Sequence, residues 1–151
     1  MPKLKPPCLV VVRYILPAVS AHIAKELTER HGLKRSEVAR KMGITPAAVT
    51  QYLESIRGGA AMDLIERSEE ATQIIAKTAD GLARDEFSVY DVLGNICAVC
   101  RAMRSSGLIC KIHKDMLPSL KGRSECELPP QFCRLLKGNP SSVDLRGRGD
   151  E

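Results

Sequence analysis

A chain of 151 residues can bury one ordinary core, or a small domain with a dependent second module, and the length prior allows no more. Hydrophobic residues at 44% with 27% charged exclude wholesale disorder, and no apolar run is long enough to span a bilayer. The net charge of +5 is uneven: residues 1–60 carry ten basic and four acidic side chains, 61–95 three and eight, 96–137 eight and three, and 138–151 two and three. The two basic blocks suit a polyanionic partner, because Lys and Arg that neutralise phosphates release condensed counterions. Mild basicity is also common among soluble proteins, so charge alone decides little.

With aromatic residues at 3% and no Trp, the core has to be built from Leu, Ile, Val, Ala and Met, which favours a mainly α fold. The apolar stretch behind Lys3 and Lys5 superficially resembles a signal peptide, but Arg13 splits it and the chain runs straight into a helical pattern. The expected location is the cytoplasm, with no membrane association.

Leu9 to Ile15, rich in Val and Ile after Pro6 and Pro7, reads as a short strand or extended arm. Pro17 suits the first turn of a helix, and Val19, Ile23, Ala24 and Leu27 recur at helical spacing until Gly32 ends it near His31. Ser36 is placed to cap a second helix that runs to Met42 and stops at Gly43. Thr45 and Pro46 then form the cap and N1 pair of a third helix carrying Val49, Tyr52, Leu53 and Ile56, broken by Gly58 and Gly59. Beyond the glycine pair, Leu64, Ile65, Ala71, Ile74, Ile75 and Leu82 form one apolar stripe, the pattern of a core or dimer-packing helix closed by Gly81. A further helix is expected from Asp85 to Ser105, with Val89, Leu93, Ile96, Cys100 and Met103 on one face and Gly107 as its stop. From Gly138 the composition is that of a disordered tail.

The string SEVARKMGITPAAVTQYL is the most informative part of the chain. Two short helices cross tightly only if the first has a small inner residue, the turn tolerates a left-handed backbone, and the second helix brings an aliphatic anchor inward. Ala39, Gly43 and Val49 meet those needs, and Val38, Met42, Ile44 and Tyr52 would complete the small core. This leaves Thr45, Ala47, Thr50, Gln51 and Glu54 outward, short or polar side chains able to approach base edges in the major groove. Gln51 is the best candidate for a base contact, since its amide can be bidentate to adenine, and Thr50 could touch a base or a thymine methyl. Lys34, Arg35, Arg40, Lys41 and Arg57 are candidates for phosphate contacts, with solvated surface charge as the competing reading of each. The competing reading of the whole unit is an αα-hairpin that packs on something else.

Over RYILPAVSAHIAKELTERHGLKRSEVARKMGITPAAVTQYLESIRG the chain resembles a family of archaeal predicted transcriptional regulators with a lambda-repressor-like, Xre-type helix-turn-helix. The resemblance covers residues 8–60 well and extends loosely through the Cys-rich part to Cys133. It implies sequence-specific transcription control on double-stranded DNA and homodimerisation; it implies neither the regulated gene nor an effector. Ser is expected near the position of Thr50, a mild departure that keeps the hydroxyl.

Cys97, Cys100, Cys110 and His113 make the pattern C-x-x-C, nine residues, C-x-x-H, followed by Cys126 and Cys133. Paired ligands three positions apart on either side of a short spacer are what a tetrahedral zinc site requires. An iron–sulfur cluster using Cys126 or Cys133 has the same ligand type and would make the module a redox or iron sensor. Buried small cysteines and disulfides are the remaining readings. Cys8 stands apart as a packing residue. No Gly-rich phosphate loop, Ser-His-Asp set or paired carboxylates point to an enzyme.

The expected organisation is therefore a helix-turn-helix DNA-binding domain over 8–60 with its short N-terminal strand or arm, a linking or dimerisation helix over 61–84, a helical Cys-rich module over 85–137, and a tail over 138–151. The expected function is a sequence-specific DNA-binding transcriptional regulator. The alternative is a zinc-stabilised protein-interaction adaptor that selects no DNA sequence.

Overall fold

A computed structural model describes residues 7–55 and 60–117, and all structural statements concern those. The expected mainly α architecture is what forms, and no strand occurs among the described residues. In chain order the helices are α1 (Pro7–Val10), a wider π-helical turn (Val11–Ile15), α2 (Leu16–Glu29), α3 (Arg35–Met42), α4 (Pro46–Ser55), α5 (Ala60–Glu66), α6 (Glu69–Ala83), α7 (Val89–Ser105) and α8 (Leu108–Met116).

The first correction is at the N-terminus, where the Val- and Ile-rich segment expected as a short strand or extended arm is helical. Strand propensity is a weak prior that packing overrides, and here Val10, Val11 and Ile15 are buried at helical spacing. α1 lies against α8, whose Ile109 is also buried, so a partner remote in sequence completes this end of the core. The π-helical turn has a local cause. Pro17 has no N–H, and its ring would crowd the carbonyl of Arg13 in a regular helix; just ahead of it the Leu16 N–H bonds the carbonyl of Val11, five residues back.

α2 is the central helix, with Ala18, Val19, Ala21, Ile23, Ala24 and Leu27 buried against α4, α5 and α6. It ends where expected: Gly32 takes φ +66° and the Leu33 N–H bonds the Leu27 carbonyl at 3.1 Å. Arg30 and His31 then reach α6, His31 Nε2 lying 2.8 Å from Asp80 Oδ1 and Arg30 pairing with the same carboxylate. Partial desolvation pushes the Asp80 carboxyl up, but His31 and Arg30 together outweigh it and hold the group below its ordinary value. His22 is buried on the same helix with Nε2 lacking a hydrogen-bond partner among the described residues. Burial lowers its pKa, opposed by the backbone of Met62 and the charge of Glu66.

The apolar stripe from Leu64 to Leu82 is divided between two helices, α5 and α6, because Ser68 adopts an extended backbone and caps a new helix, accepting the Ala71 N–H at 3.3 Å. Gly81 does not close α6; the helix runs through it to Ala83, and the chain turns at Asp85, whose φ is +58°. The glycine serves packing instead, since a Cβ there would run into the ring of Phe87. α7 begins later than expected, at a reciprocal cap in which Ser88 Oγ accepts the Asp91 N–H and the Asp91 carboxylate accepts the Ser88 N–H at 2.8 Å. Its buried face is Val99, Ala102 and Met103; Val89 and Leu93, expected on one face with Met103, are exposed.

The stripe expected as a core or dimer-packing helix is thus core, covered within the chain by α2 on one side and α7 on the other. One core cluster runs from Val11 through Leu27, Val38, Val49 and Ile75 to Met103 and Ile109, crossing the boundaries expected near residues 60 and 84. No helix among the described residues is long and apolar enough to cross a membrane. The tail expected from Gly138 lies outside the described residues.

Candidate nucleic-acid interface

The α3 and α4 pair is built as the local sequence requires. α3 is capped two residues earlier than expected: Lys34, not Ser36, is the capping position, with its N–H donating to Glu37 Oε2 at 2.8 Å. The reason is that a Glu at the third helical position satisfies this end from inside the helix, leaving Ser36 exposed in the first turn. At the other end Gly43 has φ +66° and ψ +31°, its N–H bonds the Arg40 carbonyl at 3.3 Å and the Ile44 N–H bonds the Ala39 carbonyl at 3.0 Å. That is the paired termination a left-handed glycine supplies. Thr45 then caps α4, its Oγ1 accepting the Ala48 N–H at 3.1 Å, with Pro46 at the first helical position.

Val38, Ala39 and Val49 are fully buried, and Met42, Ile44, Tyr52 and Leu53 pack partly buried around them. α4 is clamped on α2 and α3 by this inner face. Thr45, Ala47, Gln51 and Glu54 are exposed, the set expected to face outward. Thr50 is half-buried and already engaged, its hydroxyl donating to the Pro46 carbonyl at 3.2 Å and accepting from Arg35 Nη1 at 3.2 Å. Its methyl group therefore suits an apolar contact better than its hydroxyl suits a polar one. The Arg35 bond also puts a guanidinium beside α4, a juxtaposition of residues fifteen apart that spacing alone does not reveal.

The expected phosphate-contacting cations separate into two kinds. Lys34, Arg35 and Arg40 are exposed. Lys41 is not: its side chain is 7% exposed and its Nζ lies 2.7 Å from Asp85 Oδ1. That hydrogen bond, with the charges of Lys41 and Arg40, holds the Asp85 carboxyl below its ordinary value. Lys41 ties α3 to the turn after α6 and presents no free ammonium to a phosphate. Arg57 lies outside the described residues.

Four of the six expected metal ligands lie among the described residues. Cys97 is exposed and Cys100 half-buried on α7, while Cys110 and His113 are half-buried on α8, and no disulfide joins the three cysteines among the described residues. Among the described residues no three His, Cys, Asp or Glu side chains converge as metal ligands, and Cys126 and Cys133 lie outside them. Helical spacing brings Cys97 and Cys100 to neighbouring positions; it does not fix how α8 is rotated against α7, and that rotation decides where Cys110 and His113 point. Compared with known proteins, the chain finds no matching family model, curated protein or solved structure.

Proposed function

We propose that the chain is a sequence-specific DNA-binding regulator in which α3 and α4 form a helix-turn-helix and α4 enters the major groove. One observation carries the reading: α4 is anchored by the fully buried Val49 while Thr45, Ala47, Gln51 and Glu54 remain exposed beside the Arg35 guanidinium. A helix held rigidly from one side, with short and polar groups on the other, is what base-edge readout needs. Gln51 is the base-reading residue, and Lys34, Arg35 and Arg40 bind the phosphates on either side. The similarity to Xre-type regulators that the sequence suggests points to the same chemistry. The regulator acts as a two-fold dimer, since one short helix makes few base contacts.

Selection from a pool of random double-stranded DNA tests this. A defined motif should be enriched, and Gln51→Ala should lose about 1–3 kcal/mol of discrimination at one base position while its melting temperature stays unchanged. Charge-neutral variants of Lys34 or Arg35 should instead weaken all sequences alike and flatten the salt dependence by about 0.9 per lost phosphate contact. Absence of any enriched motif would leave the pair as a packing hairpin and favour the adaptor reading.

A further inference from the structure

Between the end of α3 and the start of α7 the surface opens into a cleft of about 370 Å³, within the size range of small-molecule sites. Its inner wall is apolar: Ile23 of α2, Leu82 of α6, Phe87, and Val92 and Ile96 of α7. Arg40 and Lys41 at the end of α3 and the turn residues Gly43 and Ile44 also line the cleft. The described lining holds no carboxylate; of its two cations Lys41 is paired with Asp85, and Arg40 is exposed. The outer lip is formed by Val89 and Leu93, large apolar side chains left exposed at 72% and 53%. A mostly apolar lining that includes one exposed guanidinium matches a molecule with an alkyl body and a single negative head.

We propose that this cleft binds an amphipathic monocarboxylate, with its chain against Ile23, Phe87 and Ile96 and its carboxylate on Arg40. A ligand there touches α2, α3, α6 and α7 at once and abuts the turn that sets the direction of α4. Resting on the DNA reading above, occupancy and DNA binding are coupled: Arg40 cannot serve a ligand carboxylate and a phosphate equally well, so the carboxylate weakens DNA binding and DNA weakens carboxylate binding by the same factor.

The full-length protein is titrated calorimetrically with hexanoate, octanoate and 1-octanol. Octanoate should bind saturably at one site, about 15-fold tighter than hexanoate, as burial of two further methylenes implies. It should also bind more tightly than octanol. Arg40→Glu should weaken octanoate at least tenfold and leave octanol unchanged, and Leu93→Asp, at an exposed position that tolerates a charge, should weaken both. Equal binding of octanoate and octanol, unaltered affinity in both variants, or no saturable binding overturns the site. A self-association that Leu93→Asp abolishes and octanoate does not disturb would assign the cleft to a second copy of the chain and equally overturn it. Octanoate that binds without changing affinity for selected DNA refutes the coupling. Octanoate that binds to a protein selecting no DNA leaves the site standing and removes the DNA reading.

Discussion

The turn between α3 and α4 gives the most direct energetic test, because the same chemical change can be made at two glycines with opposite expected signs. Gly43 holds φ +66° and ψ +31°, and a Cβ built on it would meet nothing within 4 Å. The cost of Gly43→Ala is therefore conformational and not steric, about 1–2 kcal/mol for an L-residue forced into the left-handed region. Gly94 lies within α7 at an exposed position where a Cβ also meets nothing within 4 Å and the backbone is helical. There Gly→Ala should stabilise by about 0.8–1 kcal/mol, the difference in helix propensity. For a chain of this size each kcal/mol moves the melting temperature by about 2–4 °C, so the two variants should separate by roughly 4–12 °C. Asn at position 43 should fall between Gly and Ala, since Asn visits the left-handed region more readily, and Val should be the worst. Urea denaturation followed by circular dichroism reads the series, with an unchanged slope showing that the unfolded state is unaffected. If Gly43→Ala stabilised the protein as Gly94→Ala does, the turn would not be left-handed and the argument for the geometry of α3 and α4 would fail.

Acid should weaken the fold in two stages. The depressed pKa of His22 means that the unfolded chain takes up the proton first, so stability is full above about pH 6.5 and declines as pH falls below it. The depressed carboxyls of Asp80, Asp85 and Asp91 add a second loss as pH falls below 3.8. His22→Met should reduce the decline in melting temperature between pH 7 and pH 5, and an equal decline in variant and parent would show that His22 is not its source. A stoichiometric zinc ion or iron–sulfur cluster in protein purified without oxygen should be lost in a Cys97→Ser, Cys100→Ser double variant, and metal retained by that variant would remove these two cysteines from the ligand set. Sedimentation on the selected DNA should give two chains per duplex with half-sites about one helical turn apart, and one chain per duplex would refute the two-fold arrangement.

Local signals carried much of the architecture. The mainly α fold, the break at Gly32, the glycine turn at Gly43, the Thr45–Pro46 helix start and the inward anchor Val49 were all legible, because caps, left-handed glycines and helical spacing act within a few residues and leave a mark in the sequence. What the sequence could not reveal depends on partners distant along the chain. The Val- and Ile-rich Leu9–Ile15 segment is helical because α8 returns to cover α1, and no property of the segment itself announces that contact. Ser68 splits the apolar stripe, and the stripe faces α2 and α7 within the same chain where spacing was equally consistent with a second copy. Lys41 and Arg40 are adjacent and chemically alike, yet one is sealed against Asp85 and the other is exposed, a distinction created by the turn after α6 folding over α3. Charge and periodicity describe what each helix offers; which cation meets water, which stripe is covered and which cysteines approach one another are settled only when helices remote in sequence dock, since burial and pairing are properties of the contact and not of the residue.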